Sequence, residues 1–184
     1  MKILTGSLKD RPILFKPHPS LRATPDKVRK AVIQVLGDKL RDAVVLDVFA
    51  GTGAMGLEAL SVGAQEAHFI EKNGPLCLNI ERMLMDYGLS GRAQVWRTDA
   101  STALRTLALD KAAFDIILAD PPYESGEAKK LLELLEGDVL LKPDGWLVLE
   151  AYKREELPTE AGPLKLKRRT VYGDTAVHYY SNKL

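Results

Sequence analysis

Short apolar runs alternate along the chain with segments whose apolar residues repeat at helical spacing. Residues 44–49, Val-Val-Leu-Asp-Val-Phe, predict a buried strand, and Gly51-Thr52-Gly53 turns it into a helix through Leu57, Ala59 and Leu60 that ends near Gly63. Residues 67–70, 93–96 and 114–119 predict three more strands. Helices are expected over about 75–87, 102–107 and 127–135. Pro143-Asp144-Gly145 reads as a turn into a strand over 146–150. Two runs, 166–171 and 176–180, flank Tyr172-Gly173-Asp174-Thr175 as an antiparallel hairpin. At the other end, Gly6, Pro12, Pro17 and Pro19 punctuate short β-like pieces, which predicts a hairpin or extended arm. Thr24 is placed to N-cap a helix with Pro25 at its first position, and Val28, Ala31, Val32, Val35 and Leu36 follow at helical spacing before Gly37.

Strands alternating with helices predict an α/β fold: a mostly parallel sheet of about seven strands with right-handed crossovers and an antiparallel C-terminal hairpin at one edge. The expected organisation is a basic N-terminal arm over residues 1–22 and one domain over 23–184. The 184 residues, 46% hydrophobic and 28% charged, suit one domain with a real core and exclude a disordered chain. No run of about 18 apolar residues is present, so no membrane span or membrane partner is expected. The start lacks the apolar stretch of a signal peptide, and the one cysteine, Cys77, has no partner for an internal disulfide; both fit a cytoplasmic protein.

The net charge of +1 says little, but its distribution is uneven. Residues 1–30 carry Lys2, Lys9, Arg11, Lys16, Arg22, Lys27, Arg29 and Lys30 against only Asp10 and Asp26, and Lys165, Lys167, Arg168 and Arg169 form a second cluster. A basic face for a polyanion and an ordinary solvated surface both fit this pattern.

Gly51, Gly53 and Gly56 match G-x-G-x-x-G between a strand and a helix, where glycines allow a tight turn and close approach of a ligand to backbone. Glu71, about 20 residues on at the end of the second strand, is placed to accept ribose hydroxyls. A dinucleotide would set its pyrophosphate on the helix start, and Asp47, four residues before Gly51, opposes that charge. A cationic cofactor such as S-adenosylmethionine suits it better. Asp99 fits two roles, an acceptor for an adenine amino group and a helix N-cap.

Asp120-Pro121-Pro122-Tyr123 follows the fourth strand directly. Its prolines stiffen the backbone and remove two donors, leaving carbonyls and a carboxylate at the edge where such sheets bind ligands. An acceptor-rich cluster suits an exocyclic amino group, and Tyr123 offers a flat face for a base.

Asp47-x-Phe49-Ala50-Gly51-Thr52-Gly53 together with Asp120-Pro121-Pro122-Tyr123 resembles the class I S-adenosylmethionine-dependent amino methyltransferases, which have a Rossmann-like fold. Arg22-Ala23-Thr24-x-Asp26-Lys27-Val28-Arg29, Leu57-Glu58-Ala59-Leu60, Ile70-Glu71-Lys72 and Tyr172-Gly173-Asp174-Thr175 extend this to the bacterial 16S rRNA guanine-N2 methyltransferase family, over nearly the whole chain. The resemblance implies cofactor contacts from Asp47, Phe49, Gly51, Gly53, Glu71, Lys72, Asp99 and Ala100, with S-adenosylhomocysteine as product. It implies Asp120, Pro121, Pro122 and Tyr123 around the target base, and the basic residues Lys9, Arg11, Lys16, Arg22 and Arg29 are expected on the RNA. The implied partner is 16S rRNA, within the small ribosomal subunit or its assembly intermediate, met by a monomer. Ala23 departs from the family's usual proline. An adenine-N6 DNA methyltransferase shares the Asp-Pro-Pro-Tyr motif, and a non-catalytic RNA-binding assembly factor is the other alternative; an NAD-dependent oxidoreductase is opposed by Asp47. His18, His68 and His178 are isolated from one another, so no metal site is expected.

Overall fold

A computed structural model describes residues 1–15, 24–123, 125–137 and 140–182. Five helices, α1 (Asp26–Leu36), α2 (Ala54–Ser61), α3 (Gly74–Asp86), α4 (Ala100–Leu109) and α5 (Glu127–Gly137), pack on one sheet. Its strands are β1 (Val44–Val48), β2 (Glu66–Ile70), β3 (Ala93–Trp96), β4 (Phe114–Ala119), β5 (Leu141–Tyr152), β6 (Glu160–Ala161), β7 (Leu164–Tyr172) and β8 (Thr175–Asn182). The order across the sheet is β3-β2-β1-β4-β5-β8-β7-β6. The first five run parallel, and β8 is antiparallel to both β5 and β7. The fold is therefore the mixed α/β sheet expected, with eight strands rather than about seven. No helix of the described residues is long and apolar enough to cross a membrane.

Alternation along the central strands builds two cores, because successive strand side chains point to opposite faces. Val45, Ile116, Leu118, Val148, Val177 and Tyr179 meet α1, α2 and α3 on one face. Leu46, Val48, Ile117, Ala119, Leu147 and Leu149 meet α4 and α5 on the other. With both faces covered, the parallel strands read as continuous apolar runs.

Two details depart from the sequence reading, and the C-terminal hairpin agrees with it. The Pro143-Asp144-Gly145 turn does not precede β5 but is absorbed into it as a bulge, between the pairs Phe114↔Leu141 and Ile116↔Trp146. Leu141 is buried against the end of the sheet, so pairing resumes before the turn, and Asp144 takes up the irregularity with φ 61°. The C-terminal hairpin adds antiparallel at the β5 edge of the parallel strands, as expected, through its second strand, β8, which lies between β5 and β7. Thr24 does not cap α1. The helix starts after Pro25, with no side-chain cap, and the Thr24 hydroxyl is bonded elsewhere.

The N-terminal segment is a loose hairpin, with a bridge between Lys2 and Pro12, and Ile3 and Ile13 enter the core shared by α1, α2 and α3. It covers α2, all of whose residues are buried. Glu58 of α2 fastens it, accepting from the Leu4 N–H at 2.8 Å, the Thr5 N–H at 3.2 Å and the Thr5 hydroxyl at 2.9 Å. Replacing Glu58 by alanine leaves two N–H groups and a hydroxyl without this acceptor. A loss of about 2–4 kcal/mol in urea denaturation is expected, with residues 1–15 opened to limited proteolysis. A wild-type cleavage pattern in Glu58→Ala would remove the carboxylate from this fastening role.

Candidate active site

After β1 the chain steps outward through β2 to β3, then crosses to β4 on the other side of β1. The crossovers part at the carboxyl ends of β1 and β4, which is where open α/β sheets hold ligands. Strand ends around the gap are tied to one another. The Ala50 N–H donates to Ile70 O at 2.9 Å, the Glu71 N–H to Trp96 O at 3.1 Å and the Asp120 N–H to Val48 O at 3.4 Å. The turn from β1 into α2 places Phe49, Gly51 and Gly53 at φ 62°, 54° and 74°. A side chain at Gly56 would put its Cβ 2.3 Å from Phe69 Cε1, so glycine there lets α2 lie directly on β2.

The carboxylates around this turn face backbone N–H groups. Glu71 accepts from the Gly51 N–H at 2.8 Å through one oxygen and from the Asn73 N–H at 2.7 Å through the other. Asp47 lies beneath the turn, buried, and accepts from the Gly56 N–H at 2.9 Å. Burial pushes its carboxyl up to about 7 against the pull of the Gly56 N–H, and the Asp120 and Glu71 charges push the same way. Asp99 stands exposed just after β3 and N-caps α4, accepting from the Thr102 N–H at 3.0 Å and the Thr102 hydroxyl at 2.7 Å. Those bonds hold its carboxyl below the usual range. Lys72 is exposed beside Glu71, and Ala100 is the buried first residue of α4. Cys77 is buried in α3, its thiol turned to the Glu71 carbonyl at 3.1 Å.

Asp120-Pro121-Pro122-Tyr123 leaves β4 on the opposite lip of the gap. Thr24 Oγ1 donates to Asp120 Oδ2 at 3.0 Å. Glu150, on the neighbouring strand β5, is buried one residue beyond Leu149, the partner of Ala119. A cavity of about 10 Å³ lies between Asp47, Asp120 and Glu150, walled by Met55, Leu118, Ala119 and Val148. Burial first, then the Asp120 and Asp47 charges, raise the Glu150 carboxyl well above the usual range. The Tyr123 hydroxyl and Thr175 Oγ1 are 2.5 Å apart, and the Tyr123 ring lies 6.1 Å from that of Tyr152. The turn between β7 and β8 thus reaches the Asp-Pro-Pro-Tyr loop. Thr24, Glu150 and Thr175 were not among the expected site residues. The available signals were an acid closing the apolar run Trp146-Leu147-Val148-Leu149, and a threonine in the Tyr-Gly-Asp-Thr segment.

Of the basic residues expected on RNA, the three that the structure describes, Lys9, Arg11 and Arg29, are not gathered at this crevice. Arg29 is a correction: it is fully buried, with Nη2 donating to Lys2 O at 3.0 Å and to Asp26 Oδ1 at 2.8 Å. It braces the N-terminal segment against α1 from the inside and has no surface to offer. Lys9 and Arg11 are exposed, but at the far ends of α2 and α3. Ser7 and Leu8 bond Ser61 at the end of α2, and the Arg11 guanidinium sits 5.5 Å over Tyr87, just past α3. Lys16 and Arg22 lie outside the described residues.

The family model described as conserved hypothetical protein 95 matches residues 1–181. YlbH of Bacillus subtilis strain 168 is 34% identical over 183 residues, covering 100% of each chain. Ribosomal RNA small subunit methyltransferase D of Escherichia coli K12 is 31% identical over 183 residues, covering 100% of this chain and 90% of its own. The solved structure of yhhF from Escherichia coli matches with a TM-score of 0.85 at 30% identity, covering 100% of this chain and 98% of that one.

The raised Asp47 carboxyl has a measurable consequence. The native state keeps a proton that the unfolded chain releases near the ordinary value of 3.8. Stability therefore falls as pH rises from about 4 to about 7. Asp47→Asn keeps an acceptor for the Gly56 N–H and removes the titration. Between pH 5 and pH 8, urea denaturation is expected to cost the wild type roughly 2–3 kcal/mol more than the variant. Parallel losses in both proteins would show that Asp47 is already ionised in the native state at pH 5.

Proposed function

The chain belongs to the family described as conserved hypothetical protein 95, and on that footing we propose that it is an rRNA methyltransferase that methylates the exocyclic N2 of one guanine in 16S rRNA. The observation that carries this is the Asp120-Pro121-Pro122-Tyr123 loop facing the glycine turn across the β1–β4 gap. The likeness to the Escherichia coli enzyme named for the small ribosomal subunit supports the substrate class.

The donor set fits S-adenosylmethionine and opposes a dinucleotide. The Gly51 N–H, which a pyrophosphate would need at this helix start, already serves the Glu71 carboxylate. Residues 47–56 carry no lysine or arginine to balance a phosphate. When bound, S-adenosylmethionine supplies an electrophilic methyl group on a sulfonium. Glu71 is placed to accept from ribose hydroxyls, and Asp99 from an adenine amino group, since each carboxylate oxygen accepts more than one hydrogen bond. Phe49, Gly51 and Gly53 bring backbone to the ligand, flanked by Lys72 and Ala100.

Around the base, this chain's residues orient and accept. The guanine is turned out of its stack against the Tyr123 ring, whose hydroxyl is held by Thr175. The Asp120 carboxylate and the Pro121 carbonyl accept from the N2 hydrogens, aim the nitrogen lone pair and stabilise positive charge as it develops there. The amine is too weak an acid to lose its proton first, so it passes it after attack to the Asp120 carboxylate, which already accepts from that hydrogen. No covalent adduct is needed, and Cys77 is buried behind Glu71. Prolines at positions 121 and 122 keep the loop stiff, so the two reactants meet in line.

Apart from the sheet, its helices and the N-terminal hairpin, the described residues hold no segment of the size that reads a DNA groove. A structured RNA bound by shape and phosphates suits the chain better, with Lys9 and Arg11 taking phosphates remote from the target base. The expected setting is the small subunit or its assembly intermediate, met by a monomer in the cytoplasm.

Methyl transfer from labelled S-adenosylmethionine to small subunits, stripped 16S rRNA and duplex DNA tests this, with nucleoside analysis of the product. N2-methylguanine in a ribosomal sample is expected, and N6-methyladenine in DNA would replace the reading. Asp120→Ala is expected to lower turnover roughly 100-fold or more with binding intact. Lys9→Ala with Arg11→Ala is expected to weaken RNA binding and flatten its salt dependence by about two ion contacts. An unchanged slope would take the N-terminal segment off the RNA.

A further inference from the structure

The second basic cluster of the chain, Lys165, Lys167, Arg168 and Arg169, lies on β7, the last long strand of the sheet. The short strand β6 covers only the start of β7, pairing at Leu164 and Lys165, and the Leu166 N–H reaches Thr159 O at 2.8 Å. Among the described residues, no strand pairs with the outer edge of residues 167–172. That open edge leads to the candidate site. Tyr172 ends it and is paired with Thr175, whose hydroxyl is the one on Tyr123. At about 3.3 Å per residue, Arg169 stands roughly 10 Å from Tyr172 along the strand.

The two arginines are held in place, and the groups that hold them are uncharged. Arg168 Nε donates to the Thr170 hydroxyl at 3.1 Å, and its guanidinium lies 5.9 Å from the centre of the Tyr179 ring. Arg169 donates from Nε to His178 Nε2 at 3.2 Å and from Nη2 to Lys153 O at 2.6 Å. A ring nitrogen that accepts carries no proton, so His178 is neutral here. The register slips between Leu166 and Arg168, which makes Lys167 the bulged residue. Lys167 is exposed, with no hydrogen bond or ion pair among the described residues. The adjoining segment 153–160 carries Glu155, Glu156 and Glu160. Among the described residues, the one carboxylate paired with the cluster is that of Glu160, 3.9 Å from Lys165. Asp174, in the turn beyond Tyr172, is paired with Lys153 at 2.8 Å.

Charge on an edge strand has an ordinary use, since it keeps the open edge from pairing with another chain. One or two charges of either sign serve that use. Here four cations stand within five residues, two of them fixed by neutral partners, and the row ends beside the loop that faces the base. We propose that β7 is a phosphate-binding rim, on which Lys167, Arg168 and Arg169 take the RNA backbone that flanks the target nucleotide. A guanidinium that is positioned but not neutralised meets a phosphate with its charge intact and with little ordering left to lose. This rests on the reading of the substrate as RNA. Lys9 and Arg11 lie at the far ends of α2 and α3, whereas the rim holds the strand close to the base that is turned out.

Binding of 16S rRNA without cofactor, over a series of salt concentrations, tests the rim. Lys167→Glu is the deciding variant: a glutamate still charges the edge and keeps any protective use, but it repels a phosphate. The slope of log affinity against log salt is expected to flatten by about one contact in Lys167→Glu, and by about three in a Lys167→Ala, Arg168→Gln, Arg169→Gln variant. Lys167→Arg is expected to keep the wild-type slope, and so is Arg105→Glu, an equal change of charge on the exposed side of α4. S-adenosylhomocysteine binding by calorimetry checks that each variant is folded, and Lys167→Glu decides alone if the triple variant is not. Placement is read by a photoreactive label on Lys167→Cys, since Cys77 is buried. Cross-links are expected in the nucleotides next to the methylated guanine. An unchanged slope in Lys167→Glu, or cross-links only to remote nucleotides, overturns the rim. A slope that flattens on duplex DNA and not on rRNA overturns the choice of RNA. N2-methylguanine formed by the wild type, with no change of slope in Lys167→Glu, keeps the methyl-transfer reading and removes the rim. A flattened slope with no RNA methylated keeps the rim's hold on RNA and removes that reading.

Discussion

Backbone N–H groups that the helices and strands leave unpaired, at the glycine turn and elsewhere, are answered in this protein by carboxyl groups. Glu71 takes those of Gly51 and Asn73, Asp47 that of Gly56, Glu58 those of Leu4 and Thr5, and Asp115 that of Val44. A carboxylate bonds such groups more strongly than a neutral acceptor does, and it brings a negative charge to the start of a helix. The cost is proximity of like charges, since Asp47 and Asp120 sit on adjacent strands. Burial and that proximity together raise the Asp47 and Glu150 carboxyls. Among the described residues, the cavity between them is lined by carboxyl and apolar side chains with no lysine or arginine, a lining that suits a cation better than a phosphate.

Much of this was legible in the chain. The strand–glycine turn–helix of residues 44–61 and the strand–Asp-Pro-Pro-Tyr of 114–123 follow from local chemistry: apolar runs, positive φ at glycine, and proline stiffness. What escaped was long-range. Thr24 has the residue type and the proline neighbour of a helix cap, yet its hydroxyl finds a stronger partner 96 positions away, in a charged carboxylate. Arg29 counts as surface charge in any composition argument, but a helix carries it inward at the spacing of Val28, Val32 and Ile33. There the Lys2 carbonyl and Asp26 replace water. Thr175 acquires its role only because β8 is threaded beside β5, and no local pattern specifies that order.

On the proposed function, the two tasks lie apart along the helix axes. The β1–β4 gap lies where α2 and α3 begin, while Lys9 and Arg11 lie where they end. Those helices are about 12 Å and 20 Å long. A short oligonucleotide reaching the crevice would not touch both ends, whereas a folded RNA surface spans such a distance easily. On that reading, selectivity for a large partner would arise from geometry: weak contacts far apart reward a rigid, extended ligand and give little to a short one.

The place of β8 has a consequence for the life of the chain. The strand beside β5, and with it the Thr175 hydroxyl on Tyr123, comes from residues 175–182. These follow every other strand of the sheet in the chain. A nascent chain can assemble the parallel half of the sheet and its glycine turn before the Tyr123 hydroxyl has this partner. The candidate site is therefore finished only when β8 pairs with β5. A chain cut within β8 would be a partly folded sheet with the edge of β5 open, and a substrate for quality control.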